Sequence, residues 1–176
     1  MKVTESGIKG VFIIEPDVYE DDRGFFMETF HIERYRKLLG INLDFVQDNI
    51  SRSSKNVLRG MHFQKNYPQG KIVKASRGEI LDVVVDLRKD SPTYGTWESF
   101  RLSEKNKLQV WIPPGFAHGF LVMSDSADID YKCTEYYHPE DELCLMWNDP
   151  EVAIDWTIND PILTEKDKKG LSLKDL

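Results

Sequence analysis

Two histidines lie in apolar, glycine-containing stretches of the sequence and could exchange protons with a ligand. His62 stands within residues 57–64, two positions after Gly60, and His118 stands within residues 112–120. Imidazole titrates near neutral pH, so it can take or give a proton where other side chains cannot. The apolar neighbours predict strands, and glycine lets a second backbone or a ligand come close. The pattern predicts two histidines at the floor of a cup, although a lone strand histidine more often hydrogen-bonds within a core.

Length and charge restrict the classes of protein to which the chain could belong. Its 176 residues are enough for one domain, residues 1–176, with a substantial core. The formal net charge of -7 argues against a general nucleic-acid binder, which needs a basic surface. The N-terminus lacks a signal-peptide apolar region, and no apolar run approaches the roughly 20 residues of a membrane span. We therefore expect a cytoplasmic protein with no nucleic-acid or membrane partner.

Cysteine usage agrees with that location. The two cysteines, Cys133 and Cys144, do not make a disulfide framework, and nothing nearby resembles a zinc-ligand quartet. Disulfides form mainly in oxidising compartments, so we expect both residues to be reduced thiols, with Cys133 in the core.

Short apolar runs separated by Gly, Pro, Asp and Asn recur along the whole chain, which is typical of an antiparallel β sandwich or barrel. One short helix is predicted over residues 33–39, closed by Gly40, and another near Glu165. Residues 21–24 predict a turn. The chain therefore predicts a single all-β domain with short peripheral helices. Strands are predicted over residues 11–14, 25–30, 45–50, 57–63, 72–75, 79–87, 97–102, 108–112, 115–123 and 129–137.

Nine short motifs follow one another between about residue 11 and residue 167, and so span nearly the whole chain. They read RGFF at 23–26, FVQDN at 45–49, LRGMHFQ at 58–64, QGK at 69–71, PGFAHGF at 114–120, YK at 131–132, NDP at 148–150, DW at 155–156 and EKD at 165–167. In order and spacing they resemble the dTDP-4-dehydrorhamnose 3,5-epimerase family. The resemblance implies a cupin-type jelly roll, a homodimer with N-terminal strand exchange, and no metal or organic cofactor. It further implies inversion of dTDP-4-dehydro-6-deoxyglucose at C3 and C5 in dTDP-rhamnose biosynthesis.

Inversion at a carbon beside a ketone needs a base on one face, an acid on the other face, and a group that stabilises the enolate. By resemblance His62 is the base, and Asp167 accepts a hydrogen bond from its second nitrogen. Tyr131 is the opposing acid, because a phenol with a pKa of about 10 donates without being ionised at rest. Lys71 places positive charge near the enolate oxygen. Taken alone, Asp167 could equally be a solvated carboxylate and Lys71 an exposed cation at a strand end.

The resemblance also implies a set of side chains that bind the nucleotide and the sugar. His118 would hold the sugar deeper in the cavity, and Tyr137 would stack on the thymine ring. Cationic members would bind the diphosphate, to which arginine offers bidentate contacts. Arg23 and Glu28 belong to an N-terminal strand that would reach the partner subunit. The expected substrate-binding residues are Arg23, Phe26, Glu28, Gln47, Asn49, Arg59, His118, Tyr137, Glu142 and Lys166.

Strand parity bears on two of these assignments. Strict alternation puts Arg59 and His62 on opposite faces of one strand, so both reach a ligand only if Gly60 permits a twist or a bulge. Alternation also puts Tyr131 and Tyr137 on one face. Residues 140–146 are acidic and apolar where the family commonly has glycine, which leaves the role of Glu142 open.

Three alternatives remain open at the level of sequence. A metal-dependent cupin would share the fold, but its first motif usually holds a His-x-His pair, whereas this chain reads His62-Phe63-Gln64. A non-catalytic module that binds sugar nucleotides would keep the cationic and aromatic contacts without needing a base and an acid. An epimerase acting at C3 only or C5 only, or a ketoisomerase, would keep much of the same site.

Overall fold

Antiparallel pairing joins the short strands of this chain into two sheets and a separate hairpin. The computed structural model describes residues 1–176. The strands are β1 (Lys2–Glu5), β2 (Phe12–Glu15), β3 (Val18–Asp21), β4 (Gly24–Met27), β5 (Gln47–Ser54), β6 (Leu58–Gln64), β7 (Lys71–Arg77), β8 (Glu79–Asp86), β9 (Trp97–Ser103), β10 (Gln109–Ile112), β11 (Phe116–Val122), β12 (Ser126–Cys133) and β13 (Glu142–Cys144). One sheet has the order β1-β2-β10-β7-β12-β5, the other has β13-β6-β11-β8-β9, and β3 pairs only with β4. The predicted all-β fold class is confirmed.

Alternation along β8 illustrates why the two sheets pack face to face. Ile80 and Val84 point inward and join buried side chains of the six-stranded sheet, such as Val73 on β7, in the main core. Leu81 and Val83 point outward into a second core. The C-terminal tail covers this outer face, and its Trp156 is buried there. Because both faces of the five-stranded sheet are covered, its strands read as nearly continuous apolar runs.

The outer face of the six-stranded sheet is covered by the one α-helix, α1 (Ile32–Leu39), which begins one residue before the predicted start. His31 caps its N-terminus by accepting a hydrogen bond from the backbone N–H of Arg34, and Gly40 ends it in the left-handed conformation. Tyr35 and Leu39 pack against the sheet. The other helical segments are 3-10 turns at Asp167–Lys169 and Leu173–Asp175. No helix is long and apolar enough to cross a membrane.

Several predicted boundaries are wrong. The strand predicted to end at residue 137 ends at Cys133, because the chain turns where Thr134 Oγ1 accepts a hydrogen bond from the backbone N–H of Gly70. The strand predicted over residues 25–30 ends at Met27, and the one predicted over 45–50 is β5, which begins at Gln47 and extends to Ser54. β1, β3 and β13 were not predicted. These strands have three or four residues each, too few for a clear alternation of apolar and polar side chains.

Candidate active site

A cavity of about 400 Å³ opens between the two sheets. Strands β5, β7 and β12 of one sheet and β6 and β11 of the other contribute to its wall, together with the C-terminal tail. Most of the lining side chains are polar, in contrast to the apolar core beside them. The lining residues are Gln47, Asn49, Ser51, Arg59, His62, Gln69, Lys71, His118, Gly119, Phe120, Tyr131, Tyr137, Glu142, Thr164, Lys166 and Asp167.

A bulge at Gly60 brings Arg59 and His62 to the same cavity. In the pairing of β6 with β11, His62 lies opposite His118 and Arg59 lies opposite Phe120. Three steps along β6 therefore match two steps along β11, so β6 contains one extra residue. Gly60 has a φ of +127°, and a Cβ there would lie 2.5 Å from the Cα of Gly119. Only glycine fits so close to the neighbouring backbone in this conformation. The bulge expected from strand parity is therefore confirmed.

His62 forms a short hydrogen bond with Asp167, a residue of the C-terminal tail. The distance between His62 Nε2 and Asp167 Oδ1 is 2.6 Å, and Asp167 is only 2% exposed. Burial alone would raise the pKa of Asp167, but the hydrogen bond and charge of His62 outweigh it, so this pKa is lowered. The ionised carboxylate fixes the proton on Nε2 and leaves the lone pair on Nδ1, which lies 3.8 Å from Glu142 Oε1 at the cavity wall. A solvated tail carboxylate, the alternative for Asp167, is excluded.

Tyr131 faces the same cavity from the opposite sheet. It lies on β12, whereas His62 lies on β6 of the other sheet, so a ligand between the sheets would meet the two groups on different sides. Burial raises the pKa of Tyr131 above its usual value. The phenol is therefore protonated at neutral pH and can donate.

Lys71 is a partly buried lysine at the start of β7. It lines the cavity and forms no ion pair. Burial lowers the pKa of Lys71, and nearby acidic groups partly oppose this effect. The alternative of an exposed lysine at a strand end does not hold. An unpaired cation in a polar cavity can stabilise negative charge that develops on a ligand.

His118 belongs to a second histidine–aspartate pair that is more deeply buried. The distance between His118 Nε2 and Asp82 Oδ1 is 2.7 Å, and Asp82 is fully buried on the neighbouring strand β8. The second carboxylate oxygen of Asp82 has no hydrogen-bond partner. Asp82 is not among the predicted site residues, although a single acidic residue inside the apolar run 80–85 is a usable signal.

Hydrogen bonds connect the polar side chains at the rim of the cavity. Tyr137 donates its hydroxyl to Glu142 Oε2 at 2.9 Å and its backbone N–H to Gln47 Oε1 at 2.9 Å. Gln47 donates to Asn49 Oδ1 at 3.0 Å, and Lys166 forms an ion pair with Glu142. Burial would raise the pKa of Glu142, but Lys166 and its other neighbours keep this pKa below its usual value. Tyr137 thus reaches the cavity through a turn, rather than by strand parity as predicted.

Three predicted binding residues do not reach this cavity within the single chain. Arg23 lies in the exposed turn between β3 and β4 and pairs with Asp21, and Glu28 pairs with Arg34. Phe26 is 70% exposed on the same hairpin. The predicted binding residues are therefore divided between the cavity and the N-terminal hairpin with the residue that follows it.

The cavity also contains residues that the sequence analysis did not select, namely Ser51, Gln69, Gly119, Phe120 and Thr164. Ser51 could have been found from alternation, because it shares one face of β5 with Gln47 and Asn49. Its buried hydroxyl has no hydrogen-bond partner, so it is available to a ligand.

One group of side chains has the composition of a metal site. Potential ligand atoms of His62, Cys144 and Asp167 lie within 4.8 Å of one another. Burial raises the pKa of Cys144 to about 12, so the thiol is protonated until a cation displaces its proton. This set lacks the histidine pair of the metal-dependent cupins considered above.

Comparisons with known proteins agree with the motifs. A family profile described as dTDP-4-dehydrorhamnose 3,5-epimerase matches residues 5–175. The dTDP-4-dehydrorhamnose 3,5-epimerase of Pseudomonas aeruginosa is 51% identical, covering 99% of this chain and 97% of the relative. The dTDP-4-dehydrorhamnose 3-epimerase of Streptomyces niveus is 40% identical, covering 98% of this chain and 84% of the relative.

A solved structure matches equally well. The dTDP-6-deoxy-D-glucose-3,5-epimerase of Legionella pneumophila, in complex with dTDP-4-keto-L-rhamnose, has a TM-score of 0.96 and 50% identity. The match covers 98% of this chain and 93% of the solved chain. The chain described here belongs to the dTDP-4-dehydrorhamnose 3,5-epimerase family.

Proposed function

We propose that this protein is an isomerase that inverts C3 and C5 of dTDP-4-dehydro-6-deoxyglucose, giving dTDP-4-dehydro-rhamnose for dTDP-rhamnose biosynthesis. The observation that carries the proposal is one cavity with the His62–Asp167 hydrogen bond on one sheet and Tyr131 on the other. The 3,5-epimerase relatives at about half sequence identity support the choice of substrate.

In the proposed reaction, His62 removes the proton next to the 4-keto group. Asp167 holds the N–H on Nε2, so the free lone pair of Nδ1 takes the proton from C3 or C5. The electrons of the broken C–H bond form an enolate, and the resulting imidazolium is stabilised by the buried carboxylate. A base with a pKa near the working pH is suited to this step.

Lys71 and Tyr131 complete the inversion. The ammonium of Lys71 stabilises the enolate oxygen, an electrostatic contribution that is usually large in such reactions. The Tyr131 hydroxyl then protonates the carbon from the other face, and the enolate electrons form the new C–H bond. Exchange with solvent returns a proton to the Tyr131 phenolate and removes one from the His62 imidazolium before the second carbon is inverted. Oxidation states do not change, so the chemistry itself requires no redox cofactor. His118, oriented by Asp82, binds the sugar.

The nucleotide occupies the outer part of the cavity. Arg59 and Lys166 neutralise the diphosphate, because each places a cation on the cavity wall. Tyr137, held by Glu142 and Gln47, offers an aromatic face to the thymine ring. In this proposal Glu142 acts by holding Tyr137 and Lys166, with which it is hydrogen-bonded and ion-paired.

We also propose that two chains form a homodimer that exchanges N-terminal hairpins. The hairpin β3–β4 carries Arg23 and exposed Phe26, and Glu28 follows it, yet none of the three reaches the cavity of its own chain. β5 is an unpaired sheet edge with an exposed Ile50, and Gln47, Asn49 and Ser51 on its opposite face line the cavity. A partner hairpin along this edge would bring the three residues to the site.

Complementation between variants tests the shared site. Arg23→Ala and His62→Asn should each be weakly active alone, whereas hybrid dimers formed by mixing them should regain activity, because one of their two sites is then intact. A monomer in sedimentation analysis, or no recovery on mixing, would refute the exchanged hairpin.

A C3-only epimerase is the second candidate, because a relative with 40% identity carries that name. The two functions are distinguished by incubating the protein with dTDP-4-dehydro-6-deoxyglucose in deuterated water and locating the label by NMR. Label at both C3 and C5 with inverted product supports the 3,5-epimerase, and label at C3 alone supports the second candidate. No label at either carbon would favour a module that binds sugar nucleotides without catalysis.

A further inference from the structure

Beside the His62–Asp167 pair lies a buried thiol that the proposed mechanism does not use. Cys144 stands directly opposite His62 in the pairing of β13 with β6, so the two side chains leave the sheet on the same face. Glu142, two residues earlier on β13, lines the cavity on that face. Cys144 itself is 7% exposed and is not part of the cavity wall.

We propose that His62, Cys144 and Asp167 form an inhibitory binding site for thiophilic divalent cations of the Zn²⁺ and Cd²⁺ class. The ligands would be Nε2 of His62, Sγ of Cys144 and a carboxylate oxygen of Asp167, with water completing a tetrahedron. This combination of nitrogen, sulfur and oxygen ligands is one that Zn²⁺ binds in proteins. The inference rests on the proposed function only for its inhibitory effect, and not for binding.

The site is close to the geometry that Zn²⁺ requires. Typical zinc–ligand bonds of about 2.0–2.3 Å place the ligand atoms of a tetrahedron about 3.4–3.6 Å apart. Here the three ligand atoms lie within 4.8 Å of one another, and the closest two, His62 Nε2 and Asp167 Oδ1, are 2.6 Å apart. The cation would therefore enter by separating His62 from Asp167 by about 1 Å and drawing the thiol inward by a similar distance.

The position of the proton on the His62 imidazole explains why cation binding would inhibit the enzyme. A cation on Nε2 uses the lone pair of that nitrogen, so the proton of the neutral imidazole must reside on Nδ1. Nδ1 then has no lone pair with which to remove a proton from the sugar. The thiol of Cys144 gives up its proton to solvent when sulfur binds the cation, while Asp167 is already ionised. Binding of one cation thus releases one proton.

Titration with Cd²⁺ alone tests binding without any need for catalysis. The protein should show one equivalent of a thiolate-to-Cd²⁺ charge-transfer band in the ultraviolet. Cys144→Ser should lose this band, with Cys144→Ala as a second variant, and Cys133→Ser, which alters the other thiol, should keep it. Absence of the band from the wild-type protein, or its loss only in Cys133→Ser, would overturn the inference.

Inhibition by Zn²⁺ in the epimerase assay tests the consequence. Cys144→Ser should turn over at the wild-type rate but need at least about 10–100-fold more Zn²⁺ for inhibition, because even groups that only orient a metal ligand change affinity by that factor. A chelator should restore the wild-type rate. Equal sensitivity of both proteins would overturn the inference, whereas a protein with no epimerase activity but a normal Cd²⁺ band would refute only the proposed function.

Discussion

The two histidine–aspartate pairs have nearly the same hydrogen-bond length but different surroundings. His62 exposes 28% of its side chain to the cavity and receives its carboxylate from the tail, 105 residues along the chain. His118 exposes only 9% of its side chain, and its partner Asp82 lies on the adjacent strand of the same sheet with one oxygen unpaired. Both histidines line the cavity, but His62 presents much more of its ring to it than His118 does. The hydrogen bond alone therefore does not distinguish the proposed base from His118, whereas the exposure of the side chain does.

Replacing each histidine by asparagine should separate the two roles. His62→Asn should lower kcat/KM by about 10²–10⁴-fold, the range that a general base contributes. His118→Asn should act mainly through KM, because the residue is proposed to bind the sugar and not to move its protons. Steady-state kinetics with the nucleotide sugar provide the comparison. A larger loss of kcat in His118→Asn than in His62→Asn would reverse the assignment.

Replacement of the two aspartates should follow the order of their histidine partners, with the larger loss of kcat at Asp167. Asp167→Asn should lower kcat by about 10²-fold, at the low end of general-base effects, because the amide no longer stabilises the imidazolium or selects the tautomer. Asp82→Asn should have the smaller effect on kcat, since His118 is not proposed to change protonation during the reaction. Asp167→Asn should keep the wild-type KM and shift the pH profile of kcat, as expected if Asp167 orients the base. A raised KM with an unchanged pH profile would instead indicate a role in substrate binding.

Gly60 links the two pairs, because its Cα approaches the backbone beside His118. Gly60→Ala should lower the free energy of unfolding by more than the roughly 1–3 kcal/mol that a strained backbone conformation costs, since its Cβ would also clash with Gly119. Gly24→Ala is the matched control, with a φ of +126° but no atom within 4 Å of the added Cβ. Urea denaturation measures both variants. Equal destabilisation would mean that the close approach contributes nothing.

Acid should weaken the fold partly through the His62–Asp167 pair. The pKa of Asp167 is lowered in the folded protein, so its contribution to stability is present above its unfolded value of about 3.9 and is lost as the pH falls through the folded pKa. The free energy of unfolding should therefore decline below about pH 4, and less steeply in Asp167→Asn. Denaturation curves across this range give the slopes. Parallel slopes for the two proteins would contradict the linkage.

Local patterns in the sequence were sufficient for part of this site. The glycine-framed histidines, the short helix ending at Gly40 and the parity conflict between Arg59 and His62 are all local signals, and the structure agrees with them. The motif resemblance supplied Asp167 and the cupin-type jelly roll, which no local pattern encodes, because tail and strand meet only in the tertiary fold.

Other features depend on contacts that one sequence does not reveal. β12 ends at Cys133 because Thr134 accepts a hydrogen bond from the backbone N–H of Gly70, which lies 64 positions earlier in the sequence. Pairing with β6 brings Cys144 next to His62, and without that register it is only a reduced thiol. The apolar run around Asp82 marks it as an unusual carboxylate, but its pairing with His118 depends on a second strand that the sequence does not place beside it.

The central claim is that His62 removes a proton on one face and Tyr131 returns one on the other. Its most direct test is Tyr131→Phe, incubated in deuterated water with the 4-keto sugar nucleotide and followed by NMR. We predict that deuterium enters next to the keto group while inversion is strongly impaired, because the base remains and the opposing acid is gone. Product formation at the wild-type rate, or complete absence of exchange, would contradict the two-sided mechanism.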